Sequence, residues 1–196
     1  MIKKILNIPL IYHLSQKIFL ADNFRKKILK KFITNKNFDI LDIGCGPGNM
    51  IKNLSYNKYY GFDTDKRYIN YAKETYQDCN FFCEKFSLSS VKKISKVDVV
   101  ILFGILHHIS DKETLKLINN IHFCLKRRSK IIIIDPVFKK NQNKLAEFLI
   151  KNDRGNFVRT TDGYVKLLKK SKLNLNYKIY DQKIVPYTYI VTILKN

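Results

Sequence analysis

The glycine-rich stretch Asp42-Ile43-Gly44-Cys45-Gly46-Pro47-Gly48 and the later Asp63 are the residues whose spacing points most directly to a ligand. Glycines in a turn let the backbone approach a ligand closely and adopt dihedral angles that a side chain forbids. A carboxylate that ends the next predicted strand can accept hydrogen bonds from ribose hydroxyls. The sequence therefore predicts a nucleoside-binding loop with an acidic partner for the ribose.

His107 and His108 follow an apolar run and are the candidates for acid-base chemistry. An imidazole with its ordinary pKa of about 6.5 can remove a proton from a reacting group at neutral pH. The alternative interpretation is that one of the two is a structural residue whose hydrogen bonds fix the loop. We predict that the catalytic base is in this pair.

Arg154 and Arg159 lie in the polar segment 151–160 and are two of only six arginines. The planar guanidinium group suits carboxylate and phosphate recognition, so both residues could bind an acidic substrate that accepts the transferred group. The alternative is a surface pair of Asp153 with Arg154 and a cap interaction of Arg159. Tyrosines that could line the same acceptor pocket are Tyr12, Tyr164, Tyr187 and Tyr189.

Strand and helix patterns alternate from about residue 38 onward. Predicted strands cover 38–43, 59–62, 80–83, 97–103 and 130–134, and predicted helices cover 49–56, 65–76 and 111–125. Two further strand-like runs, 174–180 and 188–194, have no helix between them. Residues 11–33 are predicted to form an amphipathic helix with a basic outer face.

This alternation implies parallel strands joined by right-handed crossovers. We predict an α/β fold, with a doubly wound, mostly parallel, seven-stranded Rossmann-like sheet, an antiparallel terminal hairpin and an N-terminal helical extension. A chain of 196 residues has the size of a single domain. Within it, 1–36 would form a helical lid, 37–136 the cofactor-binding core, and 137–196 the substrate-side segment and hairpin.

Three details favour S-adenosylmethionine over NAD, FAD or a plain tight turn. The glycine spacing is G-x-G-x-G with Pro47 in the turn, whereas the dinucleotide fingerprint is G-x-G-x-x-G. Asp42 could orient the loop and the ammonium group of the cofactor, at a place where a pyrophosphate would be repelled. The third detail is the antiparallel hairpin predicted from the strand-like runs 174–180 and 188–194.

These features resemble the class I S-adenosylmethionine-dependent methyltransferases of the small-molecule type, over roughly residues 38–135. The matching segments are Asp39-Ile40-Leu41-Asp42-Ile43-Gly44-Cys45-Gly46-Pro47-Gly48, Gly61-Phe62-Asp63, and Asp98-Val99-Val100-Ile101-Leu102-Phe103-Gly104-Ile105-Leu106-His107-His108. Enzymes that methylate the amino groups of planar bases or amides often carry an Asn- or Asp-Pro-Pro-aromatic sequence after the fourth strand. Gly104-Ile105-Leu106-His107 does not match it, so a small-molecule acceptor is expected, with oxygen as the favoured reacting atom and nitrogen or carbon as the alternatives.

The resemblance also implies roles for matched residues. Asp63 would hold the ribose, Phe103 would lie beside the sulfonium, and the loop glycines would surround the methionine portion. Family members commonly place an acidic residue after the third strand, against the adenine amino group. The aligned residue here is Lys85, so the neighbouring Glu84 is the candidate for that contact. The predicted cofactor-binding set is Asp42, Gly44, Cys45, Gly46, Gly48, Asp63, Thr64, Glu84 and Phe103.

The net charge of +21 attracts polyanions, which keeps a nucleic-acid partner as an alternative. Lysine, isoleucine, asparagine, tyrosine and phenylalanine are all abundant, however, which is typical of an AT-rich genome. We therefore favour a small acceptor, which the positive field would attract if it is anionic. The other hypotheses are an RNA or protein methyltransferase, and a domain that binds S-adenosylmethionine without turnover.

No apolar run reaches the roughly 18–20 residues of a membrane span, and the N-terminal stretch lacks a signal-peptide cleavage site. The four cysteines show no C-x-x-C spacing, which favours reduced thiols. The four histidines show no metal-ligand spacing. We expect a cytoplasmic protein with no transmembrane segment and no metal.

Overall fold

A computed structural model describes residues 17–34, 37–182 and 186–196, with side chains from residue 23 onward. The helices are α1 (Lys17–Phe32), α2 (Lys66–Thr75), α3 (Leu88–Val91), α4 (Asp111–His122), α5 (Lys144–Lys151) and α6 (Thr161–Lys169). The strands are β1 (Asp39–Ile43), β2 (Lys58–Asp63), β3 (Asn80–Cys83), β4 (Val97–Phe103), β5 (Leu125–Phe138), β6 (Arg159–Thr160), β7 (Asn174–Gln182) and β8 (Tyr187–Lys195).

The main sheet has the strand order β3-β2-β1-β4-β5-β8-β7. Strands β1 to β5 are parallel, and β8 lies antiparallel between β5 and β7. The chain order reverses between β1 and β4, and ligands of such sheets bind beyond the strand ends at this switch point. The predicted doubly wound sheet and terminal hairpin are confirmed. The two-residue strand β6, which pairs with the end of β5, was not predicted.

Apolar side chains cover both faces of the sheet, which explains the nearly unbroken apolar sequences of the central strands. All five residues of β1 and six of the seven residues of β4 are buried. One face packs against α4 and α6, and the other packs against α1 and α2. The two layers hold the ends of β1, β4 and β5 in fixed positions.

Helix α1 crosses its face of the sheet towards the end where β1 and β4 start. Halfway along the helix, the Phe24 ring lies 5.2 Å from the rings of Tyr180 and Tyr189. Tyr189 pairs with Pro136, close to the carboxyl end of β5. At the end of the helix, the carbonyl of Phe32 accepts a hydrogen bond from Lys130. The middle of α1 therefore lies beside the ligand-binding edge.

Two predicted helices have different bounds in the structure. The helix predicted over 49–56 is only a 3₁₀ turn, Ile51–Asn53, because Leu54 is already in the extended conformation. The helix predicted over 111–125 ends at His122. Leu125 continues the helical spacing but pairs with Val97 at the start of β5. Strand β5 is therefore longer at both ends than the predicted 130–134.

Among the described residues, no helix combines the length and apolar character needed to cross a membrane. No group of three histidine, cysteine or carboxylate side chains in these ranges is placed to hold a metal ion. The four cysteines are free thiols.

Candidate active site

The glycine loop after β1 is folded onto the end of β2. The Gly44 amide donates to the carbonyl of Phe62 at 2.7 Å, and the Gly46 amide donates to Asp63 Oδ2 at 2.9 Å. The three loop glycines have φ values of +74°, +55° and +79°, in the left-handed region that favours glycine. The loop and Asp63, which the sequence singled out together, are therefore in direct contact.

The space in front of Gly46 is open. A Cβ at Gly46 would meet no atom within 4 Å, whereas one at Gly44 would lie 2.1 Å from Ile105 and one at Gly48 would lie 2.9 Å from Tyr76. Packing of the protein itself thus excludes side chains at two of the three glycines. The third leaves a bare stretch of backbone facing free space, which is what close approach of a ligand requires.

Asp63 keeps acceptor capacity for that ligand. Besides the Gly46 amide, its carboxylate accepts the Asp65 amide through Oδ1 at 2.9 Å. A carboxylate offers about four lone-pair sites, so both oxygens can accept further hydrogen bonds. Asp63 is partly exposed and the following Thr64 is exposed, so hydroxyl groups can reach them. This local geometry fits a ribose.

Asp42 is buried below the loop. Its side chain accepts the Tyr59 hydroxyl at 2.6 Å, and burial raises the pKa of its carboxyl to about 6, while the charge of Arg25 acts in the opposite direction. Cys45, inside the loop, is also buried, and its sulfur would lie 2.9 Å from a Cβ at Gly61. These contacts secure the loop to β2.

Glu84, the candidate for the adenine contact, is already bonded to neighbouring residues. Its carboxylate accepts the Ser90 hydroxyl at 2.7 Å and pairs with Lys93. Lys85 pairs with Glu113 of α4 at 2.9 Å. Glu84 thus stabilises α3, and an adenine contact through its side chain stays a prediction.

The two histidines have different surroundings. His107 is buried, and its Nδ1 lies 2.6 Å from Oδ1 of Asp135 at the end of β5. The fully buried Asp135 also accepts the Leu106 amide at 3.3 Å and the His107 amide at 3.1 Å. One carboxylate therefore fixes the 3₁₀ turn Leu106–His108 that follows β4.

His108 is the exposed member of the pair. Its ring centroid lies 4.0 Å from that of His107. Partial desolvation and the neighbouring His107 charge lower the pKa of His108, and the charge of Arg154 acts in the same direction. A lowered pKa keeps the imidazole neutral at neutral pH, which is the form that accepts protons.

Arg159 is fully engaged with the loop after β4. Its side chain is 10% exposed and bonds Asp111 at 2.7 Å. It also donates to the carbonyls of Leu106 at 2.7 Å, Ile109 at 2.8 Å and Phe157 at 3.0 Å. These partners use the donors that an acceptor clamp would need. These contacts favour a role of Arg159 in positioning the loop, and its contact with an acceptor stays a prediction.

The segment from Asp153 to Arg159 covers His107. The Phe157 amide donates to the His107 carbonyl at 2.9 Å, and a Cβ at Gly155 would lie 2.0 Å from the His107 ring. The Tyr187 hydroxyl at the start of β8 donates to Asp153, and Arg154 is exposed beside it. Tyr187 and Arg154 thus lie close to His108, whereas Tyr12 lies outside the described residues.

A cavity of about 380 Å³ lies on the other side of Tyr187. It is bounded by the end of β5, the start of α5 and the end of the β7–β8 hairpin where Gln182 pairs with Tyr187. Polar side chains line it: Lys139, Asn141, Asn143, Asp181, Gln182 and Thr188. The Tyr187 side chain lines this cavity and also contacts Asp153, which begins the segment that covers His107.

A family model described as "Methyltransferase domain" matches residues 34–181, which is most of the chain. The chain belongs to this methyltransferase domain family. The resemblance to class I S-adenosylmethionine-dependent methyltransferases is thereby confirmed. The matched region contains the glycine loop, both histidines and the segment that covers them.

Individual methyltransferases agree with this assignment. The 235L protein of Invertebrate iridescent virus 6, a methyltransferase by name, is 30% identical over 132 residues, covering 65% of this chain and 48% of the viral protein. This chain therefore spans about half the length of that relative.

Solved structures share the fold of this methyltransferase domain. A SAM-dependent methyltransferase from Archaeoglobus fulgidus superposes with a TM-score of 0.68, at 15% identity and with 94% of this chain and 99% of that chain covered. Magnesium protoporphyrin IX methyltransferase from Synechocystis, with bound S-adenosylhomocysteine, gives a TM-score of 0.65 at 16% identity, with 90% and 82% covered.

Several residues of this methyltransferase domain's site were not singled out from the sequence. Asp135 directly follows a predicted strand, which was the signal that could have found it, because strand ends meet at the ligand edge. Arg25 was counted only among the basic residues of the N-terminal helix. Asp153 was considered only as a surface partner of Arg154, and Gly155 only as part of the same polar segment.

Proposed function

We propose that this methyltransferase domain transfers the methyl group of S-adenosylmethionine to a small-molecule acceptor, with oxygen as the reacting atom. The observation that carries the proposal is the exposed imidazole of His108, on the turn that follows β4 and Ile105, the residue that packs against Gly44 of the glycine loop. S-adenosylmethionine supplies a methyl group on a sulfonium leaving group. The protein's part is then to bind, to align and to remove a proton from the acceptor.

The open backbone at Gly46 and the free acceptor sites of Asp63 support the proposed cofactor contacts. The loop from Gly44 to Gly48 would hold the methionine portion, Asp63 and Thr64 the ribose, and Phe103 the region of the sulfonium. The tight bonding of Glu84 to α3 favours backbone groups at the adenine end. These assignments require no movement of the loop.

His108 is the proposed base, and His107 is its support. His107 is buried and bonded to Asp135, so the acceptor cannot reach it. His108 is exposed on the same turn, and its neutral form predominates at neutral pH because its pKa is lowered. Deprotonation suits an oxygen acceptor, which becomes a stronger nucleophile as its proton leaves.

Replacing His108 with glutamine is expected to lower kcat/KM by about 10²- to 10⁴-fold, the usual contribution of a general base. In the wild-type protein kcat/KM should fall only below a pH of about 6.5, where His108 becomes protonated, because its lowered pKa preserves the neutral form down to that pH. This fall is the acid limb of the pH profile. The variant should lose this limb. His122→Gln, an exposed histidine on α4, is the matched control. An unchanged pH profile in His108→Gln would remove the base from the mechanism.

The cavity beside Tyr187 is the proposed acceptor pocket. Its volume of about 380 Å³ lies within the roughly 300–1,000 Å³ of small-molecule sites. Lys139, the cation in its lining, is paired with Asp181 at 2.5 Å, and exposed Arg154 follows Asp153 on the other side of Tyr187, where it could contact an anionic acceptor. A pocket of this size favours a small molecule over a polymer.

We also propose that residues 1–36 act as a lid. The packing of Phe24 of α1 against Tyr189, close to the carboxyl end of β5, supports this role. A lid there would exclude water from the acceptor and the methyl group.

Transfer of a labelled methyl group tests the function directly. The protein is incubated with methyl-labelled S-adenosylmethionine and a cell extract separated into metabolite, RNA and protein fractions. We expect the label in the metabolite fraction, in a product whose methyl group is bound to oxygen. Label in RNA or protein would favour the alternative that the +21 charge suggests. Absence of transfer, with cofactor binding intact, would indicate a non-catalytic domain.

A further inference from the structure

Arg25 of α1 extends to the ligand edge of the sheet. Its Cζ lies 5.9 Å from the centroid of the Phe103 ring, at the end of β4. One of its terminal nitrogens, Nη2, lies 3.6 Å from where a Cβ at Gly104 would be. Its charge also acts on the carboxylate of Asp42, at the end of β1. The guanidinium group therefore lies between the ends of the two strands that flank the switch point.

The helix holds Arg25 in this place. Phe24, Ile28 and Leu29 are buried, and Phe24 packs between two tyrosine rings. The neighbouring lysines Lys27 and Lys30 are exposed. Arg25 thus reaches the inner edge, while these two lysines face solvent.

The methionine portion of the cofactor ends in an ammonium group and a carboxylate. Asp42 and Arg25 present opposite charges at the place proposed for this portion. A guanidinium group binds a carboxylate through two parallel hydrogen bonds. We propose that Arg25 binds the cofactor's carboxylate, so that α1 completes the cofactor site. This inference rests on the proposed function.

Binding of two probes to the full chain tests the role of Arg25. S-adenosylhomocysteine carries the amino acid end, and 5′-methylthioadenosine has the same nucleoside and a thioether without it. Arg25→Gln is expected to weaken S-adenosylhomocysteine binding about 10- to 100-fold, the usual value of a charge-assisted contact. Binding of 5′-methylthioadenosine should stay within about twofold. Calorimetry measures both affinities.

Lys27→Gln is the matched control, because it removes the same charge from an exposed position of the same helix. It should leave both affinities unchanged. Equal loss of both probes in Arg25→Gln would mean that the residue acts through the fold, and would overturn the assignment. Unchanged binding of both probes would overturn it too. If the wild-type chain binds neither probe, the proposed function fails together with the inference.

Discussion

Replacing Asp63 with alanine is expected to weaken S-adenosylhomocysteine binding at least about 100-fold. Each hydrogen bond from a neutral donor to a charged acceptor contributes roughly 1.5–3 kcal/mol, and a ribose offers two hydroxyl groups to this carboxylate. About 3 kcal/mol corresponds to a factor of more than 100 in Kd. The Gly46 amide also loses its acceptor, so the loop itself loses a contact. Isothermal titration calorimetry of the two proteins gives the ratio.

Asp65→Ala is the control for Asp63→Ala. Asp65 lies two residues away, carries the same charge and caps α2 through the Arg67 amide at 2.9 Å. Loss of such a cap costs about 0.5–2 kcal/mol of stability, so the control should melt earlier but bind the ligand normally. Asp63→Asn keeps an acceptor for the Gly46 amide and should bind with intermediate affinity. Wild-type affinity in Asp63→Ala would exclude a ribose contact.

The strands were predictable because their signal is local. Residues 80–83 and 97–103 were predicted with the bounds that the structure shows. A strand buried on both faces needs an apolar run, and polar or glycine residues end it. Leu125 was misassigned because apolar spacing of three or four continued past His122. Pairing with Val97, the first residue of β4, decides the conformation of Leu125, and such pairing is not visible in local spacing.

The glycine loop could be predicted for the same local reason, since its left-handed backbone requires glycine at particular positions. Roles that depend on distant partners could not. Arg159 bonds residues about 50 positions earlier, and these contacts, which favour a role in positioning a loop, leave no local signal in the sequence. The same holds for His107, which a sequence cannot distinguish from His108. Only the contact with Asp135, from the next strand, makes one histidine structural and leaves the other exposed.

Replacing Asp135 with alanine is expected to lower the free energy of unfolding by about 3–5 kcal/mol, because each buried donor left without an acceptor costs about 1–3 kcal/mol and Asp135 serves three of them. In a protein of this size about 1 kcal/mol shifts Tm by roughly 2–4 °C, so the melting point should fall by roughly 6–20 °C. The physical reason is that three donors, two amides and the His107 ring, lose a common buried acceptor. Thermal melting measures the loss.

Activity at a temperature where Asp135→Ala is still folded separates positioning from stability. Because the turn Leu106–His108 loses its anchor, His108 should move, and a displacement of about 1 Å can cost about 100-fold in rate. We therefore expect kcat to fall by about 100-fold while the affinity for S-adenosylhomocysteine changes little, since the glycine loop does not touch Asp135. A normal kcat in the folded variant would contradict the positioning role.

Two further variants make the Asp135 test specific. Asp98→Ala removes an acid that pairs with Lys126 at 2.8 Å at the opposite edge of the sheet. It should lower Tm and leave the kcat of the folded protein unchanged, because nothing near His108 depends on it. Asp135→Asn keeps an oxygen acceptor for the two amides but presents an amide donor to the His107 ring. It should therefore recover more of the stability than of the turnover. Full recovery of both would mean that the turn needs only an acceptor for its backbone, and that the hydrogen bond with the His107 ring has no role in placing the base.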